Sequence, residues 1–595
     1  MKELTNIQSF IKQNRLCEAQ ILAQNALKES PSDRALIEAY SLILNRSGAS
    51  DKALKLIEPL YSESNPSESI CGLMGRIYKN LWNESNNQDF VLQSAKVYEQ
   101  GFKAHQSYYL GINAASMFIV AGDIERSMAI AKETLPICAN EAQNYWTIAT
   151  LTEIHILLGE EEKSIEYAKA ATSHSEANVG SINSTFQQLK MLKKYISVPN
   201  QLLELFAPPG IVAFSGHMID HVGREKCQFP ASIEAEIKLE IENHLDSINA
   251  KIGYSSAACG SDILFIEAML DRDAEVHIIL PFSKADFIAN SVEFAGESWI
   301  NRFENVLLKA TSVKYATEQE YFGELRMFTY TNQLIQGQSL LKGEMFQTTP
   351  YFLGVISSEP SKQKIGGAQH FFSQLNDHEK VIIIDPVPFI KNEDEVLGEK
   401  KPSKDVSMNS FPTGMVRDVK SILFADVVGF SKMKEQQKPY FLNEFMQALS
   451  ENIKSLGFEP EVLNTWGDAV FFVGKNAEQA TEFAFMLNKM VLDTNWEEKN
   501  LPNNLNIRIA LHSGPVFMGL DPVLQRTNAY GDHVNRTARI EPVTVPGQIY
   551  SSDQFAASLK IETQDKYNYE FIGNLKLPKA FGDQDLYHIR ENKTA

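Results

Sequence analysis

The sequence predicts a multidomain protein: an all-α N-terminal region, a Rossmann-like α/β domain and a C-terminal α+β domain. Its 595 residues are enough for several domains. Up to about residue 195, Ala and Leu recur three and four positions apart, as they do in amphipathic helices. Buried strand-like runs begin only after Pro208, where they alternate with helical segments. We therefore expect domains at 1–200, 205–390 and 416–595.

Composition excludes several classes of protein. The chain has 56 basic and 75 acidic side chains, a net charge of −19, whereas proteins that grip nucleic acid backbones are usually basic. No apolar stretch approaches 18 residues, and the N-terminus lacks a signal-peptide core. Five scattered cysteines without a C-x-x-C pair do not predict disulfides or zinc. We expect a cytoplasmic protein with neither nucleic acid nor membrane as partner.

The first 200 residues carry a repeat of helix-pair length. Ala19 and Ala53 are 34 residues apart, and Pro31 and Pro66 are 35 apart. This period, with small residues where paired helices touch, is typical of tetratricopeptide-like repeats. Such arrays present a concave surface, so we expect a protein partner there.

Part of the repeat region has a more specific likeness. The segments 75–82 (GRIYKNLW) and 98–123 resemble the helical-repeat region, called TRAF-binding, of the apoptosis signal-regulating kinases. The resemblance implies a repeat scaffold. It does not imply TRAF binding, because partner choice does not travel with a fold.

The middle domain, 205–390, alternates buried strands with helices. The strand-like runs lie at 210–218, 275–282, 351–357 and 381–389. This alternation predicts a mostly parallel sheet, in which ligands bind beyond the carboxyl ends of the strands. Turn amides that lead into helix N-termini suit a phosphate or carboxylate.

Several motifs of this domain resemble the SLOG nucleotide-sensing domains, in matching order: F-S-G-H, A-C-G-S-D, L-P-F and a late G-G. The resemblance implies a nucleotide or nucleotide-like ligand. The candidate ligand-binding residues are Ser215, Gly216, Gly260, Ser261, Gly366 and Gly367. Alternatively, these glycines only serve tight turns. A third hypothesis is that the domain is a nucleotide-processing hydrolase. For this activity, Asp262 and His217 are the only candidate general bases in its motifs.

A polar, charged linker is expected at 391–415, and the chemistry follows it. An apolar strand ends at Asp426, and Asp468 lies in a Gly-Asp turn. Two carboxylates at the tips of adjacent antiparallel strands can hold two divalent cations, which would activate a hydroxyl and neutralise a triphosphate. The turn at Gly429 and Phe430 can aim backbone amides at phosphates.

A helix further along the chain carries two complementary polar residues. Asn535 and Arg539 are four residues apart and therefore share one face. An amide and a guanidinium suit a ribose oxygen and a phosphorane-like transition state. His512, in a neighbouring strand, is expected to be structural.

The motifs F-A-D-V-V-G-F-S, T-W-G-D-A, H-S-G-P-V and Y-G-D-H-V-N-R-T-A-R resemble the catalytic domain of class III nucleotidyl cyclases across nearly all of 418–592. The resemblance implies a ferredoxin-like α+β fold and two Mg²⁺ or Mn²⁺ ions per site, bound by Asp426, Asp468 and the Val427 carbonyl. It assigns transition-state roles to Asn535 and Arg539 and implies that the sites form only across a homodimer. The late triphosphate-binding lysine corresponds to Lys579.

Base selection stays open in the sequence. The two positions that usually read the base in this family are Asn464 and Asn528, which match neither the adenylate nor the guanylate pattern. An Asn both donates and accepts, so it can pair with any base. We expect ATP as substrate, with GTP or a pyrimidine triphosphate as alternatives. A non-catalytic dimerising scaffold is the alternative to an enzyme.

Overall fold

The structure is a computed structural model that describes residues 2–12, 16–46, 49–221, 227–346, 348–358, 366–375, 379–391 and 414–592. The predicted linker at 391–415 lies almost wholly outside the described residues. The chain divides into two compact units, one with residues 1–208 and 570–575 and the other with 209–569 and 576–592. Within the described part, no helix has both the length and the apolar character that a membrane span requires.

The N-terminal region is built of helices only, as predicted. They are α1 (Lys2–Lys12), α2 (Leu16–Glu29), α3 (Arg34–Arg46), α4 (Ser50–Tyr61), α5 (Glu68–Ser85), α6 (Gln88–His105), α7 (Tyr108–Val120), α8 (Ile124–Ala139), α9 (Tyr145–Leu157), α10 (Glu161–Thr172), α11 (Val179–Leu192) and α12 (Asn200–Leu205). From α1 to α10, each helix packs against the next one along the chain. Side-chain caps at Ser67, Asn87, Asn144 and Asn178 satisfy amides at four helix starts.

Small residues allow these helices to approach closely. A Cβ on Gly75 of α5 would lie 2.6 Å from the Tyr98 ring of α6, and one on Gly101 would lie 2.7 Å from Cys71 Cβ. Tyr98 and Phe102 are both 1% exposed. Tyr98 and Phe102 are therefore part of the core between the helices.

The middle domain is a six-stranded parallel sheet in the order β4-β3-β2-β1-β5-β6. Its strands are β1 (Gly210–Gly216), β2 (Ala250–Ser255), β3 (Glu275–Leu280), β4 (Ser312–Tyr315), β5 (Tyr351–Val355) and β6 (Lys380–Ile384). Its helices are α13 (Glu234–Ser247), α14 (Ser261–Leu270), α15 (Lys284–Ser291), α16 (Glu297–Lys309), α17 (Arg326–Phe346) and α18 (Ala368–Ser373). The predicted α/β class is confirmed.

The C-terminal domain is α+β, as predicted. Its strands are β7 (Val416–Val428), β8 (Val462–Trp466), β9 (Ala469–Gly474), β10 (Asn506–Asp521), β11 (Arg526–Tyr530), β12 (Ile549–Ser552), β13 (Tyr567–Lys576) and β14 (Asp583–Glu591). They lie in the order β13-β14-β12-β10-β7-β9-β8, with β11 paired to β10. The helices are α19 (Lys438–Tyr440), α20 (Met446–Lys454), α21 (Ala477–Asp493), α22 (Asp532–Ile540) and α23 (Asp553–Thr563).

Helix α17 joins the middle domain to the C-terminal domain. Tyr330 is buried and its hydroxyl donates to the Ser513 carbonyl at 2.8 Å. A Cβ on Gly337 would lie 2.6 Å from the carbonyl carbon of Ala557 in α23, so the two helices touch backbone to backbone. Arg326 pairs with Asp418 at 2.5 Å. The two domains therefore share one continuous packed surface.

Candidate active site

Strand pairing brings two carboxylates together. In the antiparallel ladder of β7 and β9, Asp426 lies opposite Ala469, the residue after Asp468. Gly467 turns the β8–β9 hairpin with a φ of +69°, a conformation that favours glycine. The Val427 amide donates to the Asp468 carbonyl at 3.3 Å and fixes the turn beside the strand.

The electrostatics of this pair suit hard cations. Burial and the neighbouring negative charge of Asp468 raise the pKa of Asp426, while Arg508 acts against this shift. Two adjacent carboxylates with one partial counter-charge are a donor set that divalent cations satisfy. The Val427 side chain is 1% exposed and packed inward, so only its backbone could join them.

Arg508 is a site residue that the sequence argument missed. It lies on β10 directly opposite Asp426, and its guanidinium pairs with Glu541 at 3.3 Å. Burial and then the charge of Asp426 raise the pKa of Glu541. The signal that could have found Arg508 is the β10 pattern L-N-I-R-I-A, in which a lone cation interrupts an apolar strand.

The turn after Asp426 leaves free space beside Gly429, whereas the side chain of Phe430 is packed. Gly429 has a φ of +96°, and no atom lies within 4 Å of the Cβ it lacks. The Phe430 ring packs against the Phe441 ring at an interplanar angle of 60°, with ring centroids 4.7 Å apart. The turn is therefore held by an aromatic contact while its glycine leaves room for a ligand.

Helix α22 presents Asn535 and Arg539. Asn535 is exposed, whereas the Nε of Arg539 is buried and has no hydrogen-bond partner in the described part of the chain. The Arg539 guanidinium lies 5.8 Å from the centre of the Phe581 ring. A buried N–H donor without an acceptor is costly, and an anionic ligand would satisfy it.

A buried histidine pair fixes the start of α22. His512 bonds to Ser552 at 2.7 Å and to His533 at 2.8 Å. Burial, with Arg536 and Arg417 nearby, lowers the pKa of His533 to about 3. A Cβ on Gly514 would overlap the His533 ring, at 2.5 Å from its Cγ atom. Both rings are therefore neutral packing groups, which agrees with the structural role expected for His512.

The two predicted base-reading residues meet in the structure. The Asn464 amide donates to Asn528 Oδ1 at 3.2 Å, although the residues are 64 positions apart in the sequence. Lys579 lies in an exposed turn between β13 and β14, with a φ of +57°.

The middle domain contains a cavity of about 350 Å³ at the carboxyl end of β1. Of the six predicted ligand-binding residues, four line it: Ser215, Gly216, Gly366 and Gly367. The other two, Gly260 and Ser261, do not line the cavity. Ser261 donates through both its amide and its hydroxyl to the His217 carbonyl, and Gly260 adopts a φ of +108° to bring the chain there.

Two of the turn amides that suit an anion already have an acceptor inside the domain. The amides of Gly216 and Ala258 donate to the carboxylate of Asp262 at 3.2 and 3.3 Å. The Cys259 amide donates to the Ser291 carbonyl. Asp262 itself lines the cavity and is 6% exposed, and burial raises its pKa to about 7. A carboxyl of the protein itself therefore accepts from two of the amides proposed for a phosphate.

Two regions of the chain match described families. Residues 16–118 match Tetratricopeptide Repeats-Sensor, and residues 415–591 match Adenylate and Guanylate cyclase catalytic domain. The second match covers the paired aspartates, the asparagine pair and α22. Residues 415–591 are a class III nucleotidyl cyclase catalytic domain.

Individual relatives resemble part of the chain. Guanylate cyclase 2G of Rattus norvegicus is 29% identical over 181 residues, 28% of this chain and 16% of the relative. Mitogen-activated protein kinase kinase kinase 15 of Mus musculus is 28% identical over 145 residues, 22% of this chain and 11% of the kinase. The chain thus spans about a sixth or less of the length of these relatives.

Solved structures also resemble the cyclase domain. The guanylate cyclase domain of RhGC from Catenaria anguillulae, solved with GTP, is 23% identical with a TM-score of 0.26. The match covers 30% of this chain and 100% of that one.

Proposed function

We propose that the cyclase domain converts a nucleoside triphosphate into a 3′,5′-cyclic nucleotide and pyrophosphate. The observation that supports this best is the combination of two charged sites whose neighbours leave them incompletely satisfied. Asp426 and Asp468 form an adjacent carboxylate pair with Arg508 as partial counter-charge, and Arg539 is a half-buried guanidinium whose buried Nε has no acceptor among the described residues. A triphosphate with divalent cations offers cations to the first and an anion to the second.

Asp426, Asp468 and the Val427 carbonyl are the groups that would hold two Mg²⁺ or Mn²⁺ ions. When bound, such ions neutralise the triphosphate and acidify the attacking hydroxyl. In the proposed reaction the ribose 3′-oxygen forms a bond to the α-phosphorus, the bond to the pyrophosphate oxygen breaks, and the hydroxyl proton leaves to solvent. Asn535 orients the ribose, and Arg539 stabilises the charge that develops on the phosphorane. Gly429, Phe430 and Lys579 contact the phosphates.

The proposal includes a homodimer with two composite sites. Asp426 and Asp468 of one chain would face Asn535 and Arg539 of another, so each dimer would hold two equivalent sites. The isolated chain would then be inactive.

ATP is the proposed substrate, and GTP is the second candidate. The residue types at 464 and 528 do not choose between them, because the Asn464–Asn528 pair matches neither the adenylate nor the guanylate pattern. Relatives such as Guanylate cyclase 2G favour GTP by their names.

Mass spectrometry of the products tests the proposal. The purified protein is incubated separately with ATP, GTP, CTP and UTP in the presence of Mn²⁺, beside Asp468→Ala as control. A cyclic nucleotide that is absent with the variant supports the enzyme. No product from any triphosphate, at protein concentrations that maintain the dimer, contradicts it and favours the non-catalytic scaffold.

We further propose that the middle domain regulates the cyclase domain and that the repeats bind a protein partner. The supporting feature is α17. Its residues Phe328, Thr331 and Asn332 line the cavity, and its Tyr330 and Gly337 contact the cyclase domain. Because Asp262 takes the turn amides, the occupant expected here is a small molecule that offers a hydrogen-bond donor to this carboxyl, such as the base of a nucleotide-like ligand.

A further inference from the structure

The base-reading pair continues into a third polar residue that no family position predicts. Asn528 Nδ2 donates to Asp521 Oδ2 at 3.3 Å, and the Tyr530 hydroxyl donates to the same oxygen at 2.8 Å. Asp521 is the last residue of β10, and Asn528 lies on the paired strand β11. One carboxylate therefore anchors the side chain beside the base position.

This anchor leaves the Asn528 amide only one orientation. Its Oδ1 accepts from Asn464 at 3.2 Å and from the Ala529 backbone amide at 3.0 Å. If the amide turned over, its NH₂ group would face two donors, and its oxygen would face the Asp521 carboxylate. Both arrangements are repulsive, so Asp521 excludes them.

The orientation passes on to Asn464. Because Asn528 presents its oxygen, Asn464 must present its NH₂ group to that oxygen, and its own Oδ1 faces away. Asn464 is 2% exposed, and this Oδ1 has no hydrogen-bond partner within the described residues. A buried acceptor of this kind calls for a donor that the protein does not supply.

We infer that Asp521 is a positioning residue for base selection, because it holds Asn528 and through it fixes Asn464 as an acceptor toward an N–H group of the substrate base. This inference rests on the proposed cyclase function. Asp521 acts without touching the nucleotide. Asp521 is ionised at neutral pH, because hydrogen bonds from the Leu524 amide and the Tyr530 hydroxyl lower its pKa to about 2.

The test compares Asp521→Asn with Asp493→Asn, the same chemical change at an exposed position on α21. An asparagine at 521 can present either an oxygen or an NH₂ group, so Asn528 and Asn464 become free to turn. We measure kcat/KM for ATP, GTP, CTP and UTP and take the ratio between the best and worst substrate. The ratio should fall at least tenfold in Asp521→Asn and stay unchanged in Asp493→Asn.

A purely structural role gives a different result. Asp521 also accepts from the backbone amides of Val523 and Leu524, so its loss could loosen the hairpin. A loosened hairpin would lower kcat/KM for all four nucleotides alike and leave the ratio intact, which would overturn the inference.

A double-mutant cycle shows whether Asp521 acts through Asn464. Asn464→Ala removes the acceptor and should reduce the same ratio. Adding Asp521→Asn to it should then change the ratio no further. Full additivity of the two effects would overturn the inference.

Binding separates failure of this inference from failure of the cyclase. If the wild type turns over none of the four nucleotides, the proposed function fails. The dissociation constants of the four methylanthraniloyl-labelled triphosphates are then compared in the presence of Mn²⁺. A spread between bases that collapses in Asp521→Asn supports the inference. Equal constants in the wild type, or no binding at all, overturn it.

Discussion

Asp262 is a buried carboxyl whose protonation depends on the fold. Its pKa is about 7 in the folded protein and about 3.9 in an unfolded chain. Between these values the folded state binds one more proton than the unfolded state. The stability that this group contributes is therefore present below pH 4 and is lost as the pH rises toward 7.

Replacing Asp262 should therefore change the pH dependence of stability. The Asp262→Asn side chain cannot ionise, so the variant does not lose this stability as the pH rises. Its thermal midpoint should therefore rise relative to that of the wild type between pH 5 and pH 8. The full difference is at most about 4 kcal/mol for three pKa units. Asp273→Asn, on the exposed turn after α14, is the control. Parallel curves for Asp262→Asn and wild type would contradict the prediction.

Arg539 should matter for the rate more than for binding. If it stabilises charge that develops only in the transition state, Arg539→Ala should lower kcat by about 10²-fold or more and change KM little. Arg536→Ala is the control, because Arg536 lies on the same helix but bonds to Gln584 at 3.0 Å. Equal effects of Arg539→Ala on kcat and KM would indicate a ground-state role instead. Steady-state kinetics on the preferred triphosphate checks this.

Helix α17 is the element through which the proposed regulation of the cyclase domain would pass. Gly337→Leu places a side chain where the backbone of Ala557 already lies. Overpacking of this kind typically costs about 1–3 kcal/mol. We expect a lower thermal midpoint together with altered cyclase activity. Gly457→Ala is the matched control, because nothing lies within 4 Å of its Cβ position. Unaltered activity in a Gly337→Leu protein of lower midpoint would argue against regulation through α17.

The fold classes were predictable element by element because most strands are apolar runs and most repeat helices are amphipathic. Helix α17 was not predicted. Its sequence, RMFTYTNQLIQGQSLLKGEMF, mixes Gln, Asn and Gly with apolar residues. The reason is that the middle domain covers one face of the helix and the cyclase domain covers another. A helix buried on several faces has no polar stripe that would reveal it.

The active site was predictable to the extent that it depends on strand register. Asp426 and Asp468 were expected to be neighbours at the tips of adjacent antiparallel strands. The structure pairs β7, which contains Asp426, with β9, which begins directly after Asp468. Asp521 was not foreseen, since it is an acidic residue in a polar turn and only its bonds to Asn528 and Tyr530 distinguish it. The occupied turn amides of the middle domain were also invisible, because the acceptor, Asp262, belongs to the following helix.

At the scale of the whole molecule, the proposed dimer predicts complementation between two inactive variants. Asp468→Ala and Arg539→Ala remove opposite halves of a composite site. A mixed dimer therefore keeps one intact site, and an equal mixture of the two should regain about a quarter of wild-type activity. Asn535→Ala mixed with Arg539→Ala is the control, since both remove the same half. Recovery in the control, or none in the first mixture, would contradict the composite site. Cyclic nucleotide formation after mixing measures this.

The cavity beside α17 also has a pharmacological consequence. It lies in a different domain from the carboxylate pair, and its wall includes a helix that abuts the cyclase domain. A compound that fills it would not have to displace a triphosphate that cells hold at high concentration. Inhibition by such a compound would be noncompetitive, and raising the nucleotide concentration would not relieve it.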